Sequence, residues 1–94
     1  MNIGNALKEL RQGHKQTWMA KQIGISQTHL SLVESGKKEP SLTLLKKYAR
    51  YFKIPLPVLL WFSLTDQDIP EEKRAMFLPL KHTVDSLIKD LFTE

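Results

Sequence analysis

Apolar residues recur along this chain at the steps of three and four that mark helices, and nowhere at the alternating step of a strand. Ile3, Ala6, Leu7 and Leu10 share one face of a first helix, Ile3 to Arg11. Gln12-Gly13-His14 forms a short turn. Met19, Ala20 and Ile23 give a second helix, Gln16 to Ile23, its inward face. Gly24 ends it, because glycine tolerates the left-handed backbone that closes a helix, and Ile25 drops back into the core. Ser26 is a natural N-cap for a third helix reaching about Ser35, with Leu30 and Val33 inward. Gly36 stops it, and Lys37-Lys38-Glu39 makes a charged loop. Ser41 caps a fourth helix whose predicted buried side is Leu42, Leu45, Tyr48, Ala49 and Phe52. Ile54-Pro55-Leu56-Pro57 then breaks the chain. Pro57 suits the first position of a fifth helix, and Val58 to Phe62 are too apolar to lie free on a surface.

The rear third reads differently. Asp66 to Ile69 is expected to be a linker. Pro70, Glu71 and Glu72 begin a last helix, the acids complementing its positive end. Pro79 should kink or split that helix. Leu80, Val84, Leu87 and Leu91 recur at steps of four and three, Phe77 extends the stripe backward, and Ile88 and Phe92 widen it. Two packings are open. The stripe lies across the chain's own bundle, or it pairs with its copy in a second subunit. The expectation is an all-α protein with one domain over 1–64 and a helical extension over 65–94 that serves dimerisation. Trp61, Phe62, Leu80, Val84, Leu87 and Leu91 are then expected near the interface.

Composition narrows the function. The 94 residues include no Cys, so neither a disulfide framework nor a thiolate zinc site is available. The first residues hold no long apolar run and read as no signal peptide. The most apolar stretch, Ile54 to Leu64, falls far short of the ~20 residues a membrane span needs. A cytoplasmic protein with no membrane partner is expected. The net charge of +4 is segregated. Residues 1–53 carry ten Lys and Arg against three Glu, a net +7, while residues 54–94 carry four against seven acids, a net −3. A basic front half attracts a polyanion and an acidic rear half is repelled by it.

The front half also holds a specific spacing, A-x3-G-I-S-x3-L-x2-V-E-x-G, from Ala20 to Gly36. Small Ala20 lets two helices approach, Gly24 turns between them, and Leu30 and Val33 pin the second of them to a core. Any one of these residues suits an ordinary helical bundle; the whole spacing points to a helix-turn-helix. Its second helix turns Gln27, Thr28, Ser31, Leu32 and Ser35 to one face at a 3.6-residue period. A Gln amide can pair with an adenine edge, Thr can bond several bases, and Leu32 can meet a thymine methyl. A singly exposed Leu is also common. His29 lies beside this face within reach of a phosphate.

Residues 3–60 resemble the Cro/CI-type (XRE-type) helix-turn-helix domain of phage and bacterial repressors. The resemblance rests on Leu10-Arg11, Gln16, Met19-Ala20, Ile23-Gly24-Ile25-Ser26, Leu30, Val33-Glu34, Gly36-Lys37 and Pro40-Ser41-Leu42. It implies a five-helix, lambda-repressor-like domain, usually dimeric, that binds operator DNA. It also implies that Gln27, Thr28 and Leu32 read bases with help from His29 and Ser31. Gln16, Ser35, Lys37 and Lys38 would grip the phosphate backbone, and Arg11 would pair with Glu34 between helices one and three. The chain departs from the pattern in three places. The turn before Gln16 is about two residues short, Lys15 stands where a Ser or Thr cap is frequent, and Trp18 occupies a usually polar position. Trp18 is free to cover the C-terminal segment or to stack near sugar-phosphate.

Other chemistry finds no support. His14, His29 and His82 are scattered, and no paired carboxylates stand at ligand spacing, so no metal and no cofactor are expected. No phosphate loop, nucleophile elbow or zinc-protease motif occurs, so no enzyme is expected. The expected partners are double-stranded DNA and a second copy of the chain. A partner protein on the C-terminal stripe is the alternative, as in an antitoxin or autoregulator. A domain that keeps the fold but has lost DNA binding is a third reading.

Overall fold

A computed structural model describes residues 1–92 of the chain. Six α-helices account for its regular structure: α1 (Ile3–Leu10), α2 (Gln16–Ile23), α3 (Gln27–Glu34), α4 (Leu42–Phe52), α5 (Leu56–Phe62) and α6 (Arg74–Phe92). Short 3-10 turns at Asp66–Asp68 and Glu71–Lys73 join the last two.

Side-chain oxygens set three of the helix starts by accepting a backbone N–H that has no partner within its helix. Asn2 accepts from Asn5, Ser26 from His29 and Ser41 from Leu44, at 3.0–3.1 Å. Lys15 gives α2 no such cap. Gly24 closes α2 at φ 75°; its N–H bonds to the Lys21 carbonyl and the Ile25 N–H to that of Ala20.

Leu7, Met19, Leu30, Val33, Tyr48 and Leu59 are almost wholly removed from water and bring the first five helices onto one core. Ala20 and Ile23 fill the contact of α2 with its neighbours. Gly4 is buried because α1 runs directly against the end of α3. A Cβ there would stand 2.3 Å from the Val33 carbonyl oxygen and 2.9 Å from that of Glu34. The Tyr48 hydroxyl donates to the Leu7 carbonyl oxygen at 3.2 Å inside the core.

Several expectations are corrected. Leu42 is 57% exposed, and Leu44 is buried in its place. Leu42 is the first residue of α4 and no preceding turn covers it. The fifth helix begins one residue before Pro57, with Pro55 as its N-cap. The segment 66–69 is not a free linker. Thr65 and Asp68 form a reciprocal capping box around the first 3-10 turn, and Arg74 Nε donates to the carbonyls of Asp66 and Ile69. Glu71 and Glu72 lie in the second 3-10 turn, just ahead of α6. Nor does Pro79 split α6, which continues through it. Proline removes one N–H and leaves the Ala75 carbonyl without its helical donor; both residues are exposed, so water can take that place.

The stripe on α6 has a covered side and an exposed side. Phe77 is buried and Val84 and Ile88 are half-buried, and α6 makes contact with the chain's own α5. Trp61 serves that contact too. Its Nε1 donates to Asp85 Oδ1 at 2.7 Å, and Lys81 caps the end of α5 by donating to the Trp61 carbonyl at 3.1 Å. The Lys81 ammonium also lies 5.3 Å from the Trp61 ring centre. Phe62 is half-buried. Leu80, Leu87 and Leu91 point away, 56–75% exposed.

Candidate nucleic-acid interface

Helix α3 is held to the core by Leu30 and Val33, and this fixes which residues it turns outward. Gln27, Thr28, Ser31, Leu32 and Ser35 are all exposed and His29 is half-exposed. Leu32 is 37% exposed, so part of its side chain still rests on the protein.

The C-terminal end of α3 is tightly closed. The Leu32 carbonyl accepts from the backbone N–H groups of Lys37 and Lys38 at 3.0 and 3.2 Å, and from Ser35 Oγ at 3.1 Å. The Gly36 N–H bonds to the Val33 carbonyl at 3.1 Å. These bonds satisfy carbonyls that have no donor within the helix. They also hold the backbone of Lys37 and Lys38 beside the last turn of α3.

A chain of polar contacts supports the N-terminal end. Arg11 donates through Nε and a terminal nitrogen to the two Glu34 oxygens, at 2.6 and 2.9 Å. The Glu34 side chain is only 3% exposed. Its hydrogen bond, ahead of its charge, holds the guanidinium above its ordinary pKa. Arg11 also donates to the His14 carbonyl at 2.9 Å and so anchors the short α1–α2 turn. Gln16 Nε2 donates to Glu34 Oε1 at 3.0 Å, and Gln16 Oε1 accepts from Gln27 Nε2 at 3.2 Å. The relay runs from a buried ion pair between α1 and α3, through the first residue of α2, to the first residue of α3.

The sequence expectation for Gln16 was a phosphate contact alone; the structure also gives it two protein partners. The Gln16–Gln27 bond was not anticipated. Its signal was the presence of an amide at the first position of both helices. Trp18 packs against the core of the helical domain. It stacks on His14 with ring centres 4.4 Å apart and meets Tyr51 edge-on at 5.8 Å.

The outward face thus carries amides and hydroxyls along α3 and lysines at its end, with Glu34 buried in an ion pair and Glu39 exposed beyond the lysines. Such a surface suits hydrogen bonding to base edges flanked by contacts to phosphate. The helix-turn-helix family matches residues 7–59 of the chain. The chain belongs to this family. It is of the XRE type, whose members are DNA-binding transcription regulators. This helix-turn-helix protein is also 36% identical over 72 residues to the "ImmF control region 10 kDa protein" of Bacillus phage phi105. That match spans 74% of this chain and 77% of the phage protein. No solved structure matches the chain. Among the described residues, no helix is long and apolar enough to cross a membrane.

Proposed function

We propose that this protein is a repressor that binds a short two-fold symmetric duplex site as a homodimer, reading bases with Gln27, Thr28, Ser31 and Leu32. The observation that carries the reading is the relay from Arg11 and Glu34 through Gln16 to Gln27. It pre-positions one amide at the tip of α3, so less side-chain freedom is lost when that amide meets a base. Gln16 keeps one amide hydrogen for a phosphate. Lys37, Lys38 and His29 supply the remaining backbone contacts, and Ser35 joins them by turning its hydroxyl from the Leu32 carbonyl to a phosphate. The description of the phage relative as a control-region protein supports a regulatory role.

The exposed stripe of α6 supports the dimer. Two such domains read half-sites one duplex turn apart, ~34 Å. A partner protein would use the same stripe, and co-purification of a different chain in place of a second copy would favour that reading. Selection of bound sequences from a random duplex pool, with a light-scattering mass measurement, tests the proposal. The expected result is a palindromic site and a dimer mass. Gln27→Ala should relax preference at one position per half-site at a cost of about 1–3 kcal/mol. Lys38→Ala should weaken all sequences alike. A Gln27→Ala protein with unchanged affinity and base preference would remove Gln27 from the reading face.

A further inference from the structure

A second basic surface lies outside the reading face. Helices α2 and α4 contain no acidic residue, yet they carry Lys21, Lys46, Lys47 and Arg50, with Lys53 closing α4. None of these five forms an ion pair among the described residues. Lys21, Lys47 and Arg50 converge on a groove of about 400 Å³, which Gly24 and Tyr51 help to line. Tyr51 is braced by Trp18, itself stacked on His14, so that wall is aromatic.

Cations near helix C-termini offset the helix dipole, which accounts for Lys21 and Arg50 in the last turns of α2 and α4. It does not account for Lys47, in the middle of α4. The Lys47 ammonium lies over the α2–α3 turn, 3.9 Å from where a Gly24 Cβ would stand. Gly24 precedes Gln27 by three residues, at most ~10 Å of extended chain. One DNA strand rises 3.4 Å per phosphate along the duplex axis, so a groove within ~10 Å of a base-reading residue lies within about three phosphates of the base it reads.

We propose that the groove of Lys21, Lys47 and Arg50 binds the phosphodiester backbone of DNA flanking the half-site, extending the footprint past the N-terminal end of α3. This rests on the duplex-binding reading above. A phosphate suits the site because the bare Gly24 backbone lets it approach. Arg50 offers a planar fork to two of its oxygens, and the Lys21 and Lys47 ammoniums add point charges.

The test compares the selected duplex in two lengths, one with several flanking base pairs and one trimmed flush to the half-sites, over a salt titration. The wild-type protein should bind the longer duplex more tightly and with a steeper salt dependence. The Lys21→Ala/Lys47→Ala/Arg50→Ala protein should keep its base preference, lose the length effect, and show a salt slope smaller by about 2–3 per subunit, about 5 for the dimer. For six lost contacts, three in each subunit of the dimer, raising salt from about 50 to 200 mM should then weaken the wild type ~10³-fold more than the variant. Equal wild-type affinities for the two lengths, or an unchanged slope in the variant, would overturn the proposal. So would an equal loss by the variant on both lengths, or a lowered oligomer mass in its place, the mark of an acidic segment of a second copy in the groove. If base preference persists and is relaxed by Gln27→Ala while trimming has no effect, the groove proposal fails alone. If the wild type prefers no duplex sequence, both readings fail.

Discussion

Tyr48 ties α4 to α1 from inside the core. It is fully buried, and its hydroxyl donates to the Leu7 carbonyl across 41 residues of sequence. Burial first, and the nearby Glu34 charge second, push its pKa above the ordinary 10.0. The neutral phenol is therefore the form the fold holds. Its contribution to stability is intact below the unfolded value and is lost as pH rises through 10 toward the folded one. Tyr48→Phe should cost about 1 kcal/mol near neutrality for the lost hydrogen bond. The Leu7 carbonyl keeps a second donor, the Arg11 N–H at 3.1 Å. Above pH 10 the gap should close, because only the wild type must suppress ionisation of a buried phenol, at up to 1.36 kcal/mol per pH unit. Thermal midpoints of both proteins from pH 8 to 11 measure this; parallel curves would contradict it. The spacing of α4 placed Tyr48 inside, but its partner was not legible, because a contact 41 residues away leaves no periodic trace. Gln16 and Gln27 show the same limit eleven residues apart.

At the scale of elements, the caps at Ser26 and Ser41 and the stop at Gly24 could be read from the sequence, because each depends on a few adjacent residues. Contacts between elements were harder to read. Nothing in Ile3 to Leu10 marks Gly4 as the point where α1 meets α3, since a glycine near a helix start also passes as a neutral filler. The structure gives the reason: its Cα is the only surface the Val33 and Glu34 carbonyls can tolerate. Gly4→Ala should raise the helical propensity of α1, worth about 1 kcal/mol in isolation, and still destabilise the protein. The new methyl meets rigid backbone, and overpacking of this kind costs about 1–3 kcal/mol, occasionally more. Because α1 and α3 are also joined by Arg11 and Glu34, the displaced helix should loosen the relay to Gln27. A denaturant midpoint below that of the wild type, with weaker binding of the selected duplex, is the expected pair of results. An unchanged midpoint would mean that α1 shifts freely on α3. Leu42 shows the reverse error: it fits the period of α4 but sits where the helix has no preceding turn to shelter it.

At the scale of the whole molecule, cations are concentrated in the front of the sequence, and the longest stripe of exposed apolar side chains lies in the rear. The cations gather over 1–53, while Met76, Leu80, Leu87 and Leu91 lie exposed on α6. At roughly 100° per residue these four fall within about 60° of arc, a continuous stripe beside the face that Phe77, Val84 and Ile88 bury. The sequence showed the stripe but not its division, because both packings draw on one 3.6-residue period. Trp61 decides which side turns inward, through its bond to Asp85. If two copies meet on the outer side, a charge at Leu87, 64% exposed in one chain, should leave the single subunit folded and break the pair. Leu87→Glu should therefore keep the helical signal and thermal midpoint of an isolated subunit and halve the mass measured by light scattering. Its affinity for a full palindromic site should fall about 10²–10⁴-fold, toward that of one half-site, because the second half-site is no longer presented at high effective concentration. Its affinity for a duplex carrying a single half-site should not change. That contrast separates lost pairing from a damaged reading face, since a defect in α3 would weaken both duplexes equally. A Leu87→Glu protein of unaltered mass would move the interface off this stripe and leave the stripe to a different protein.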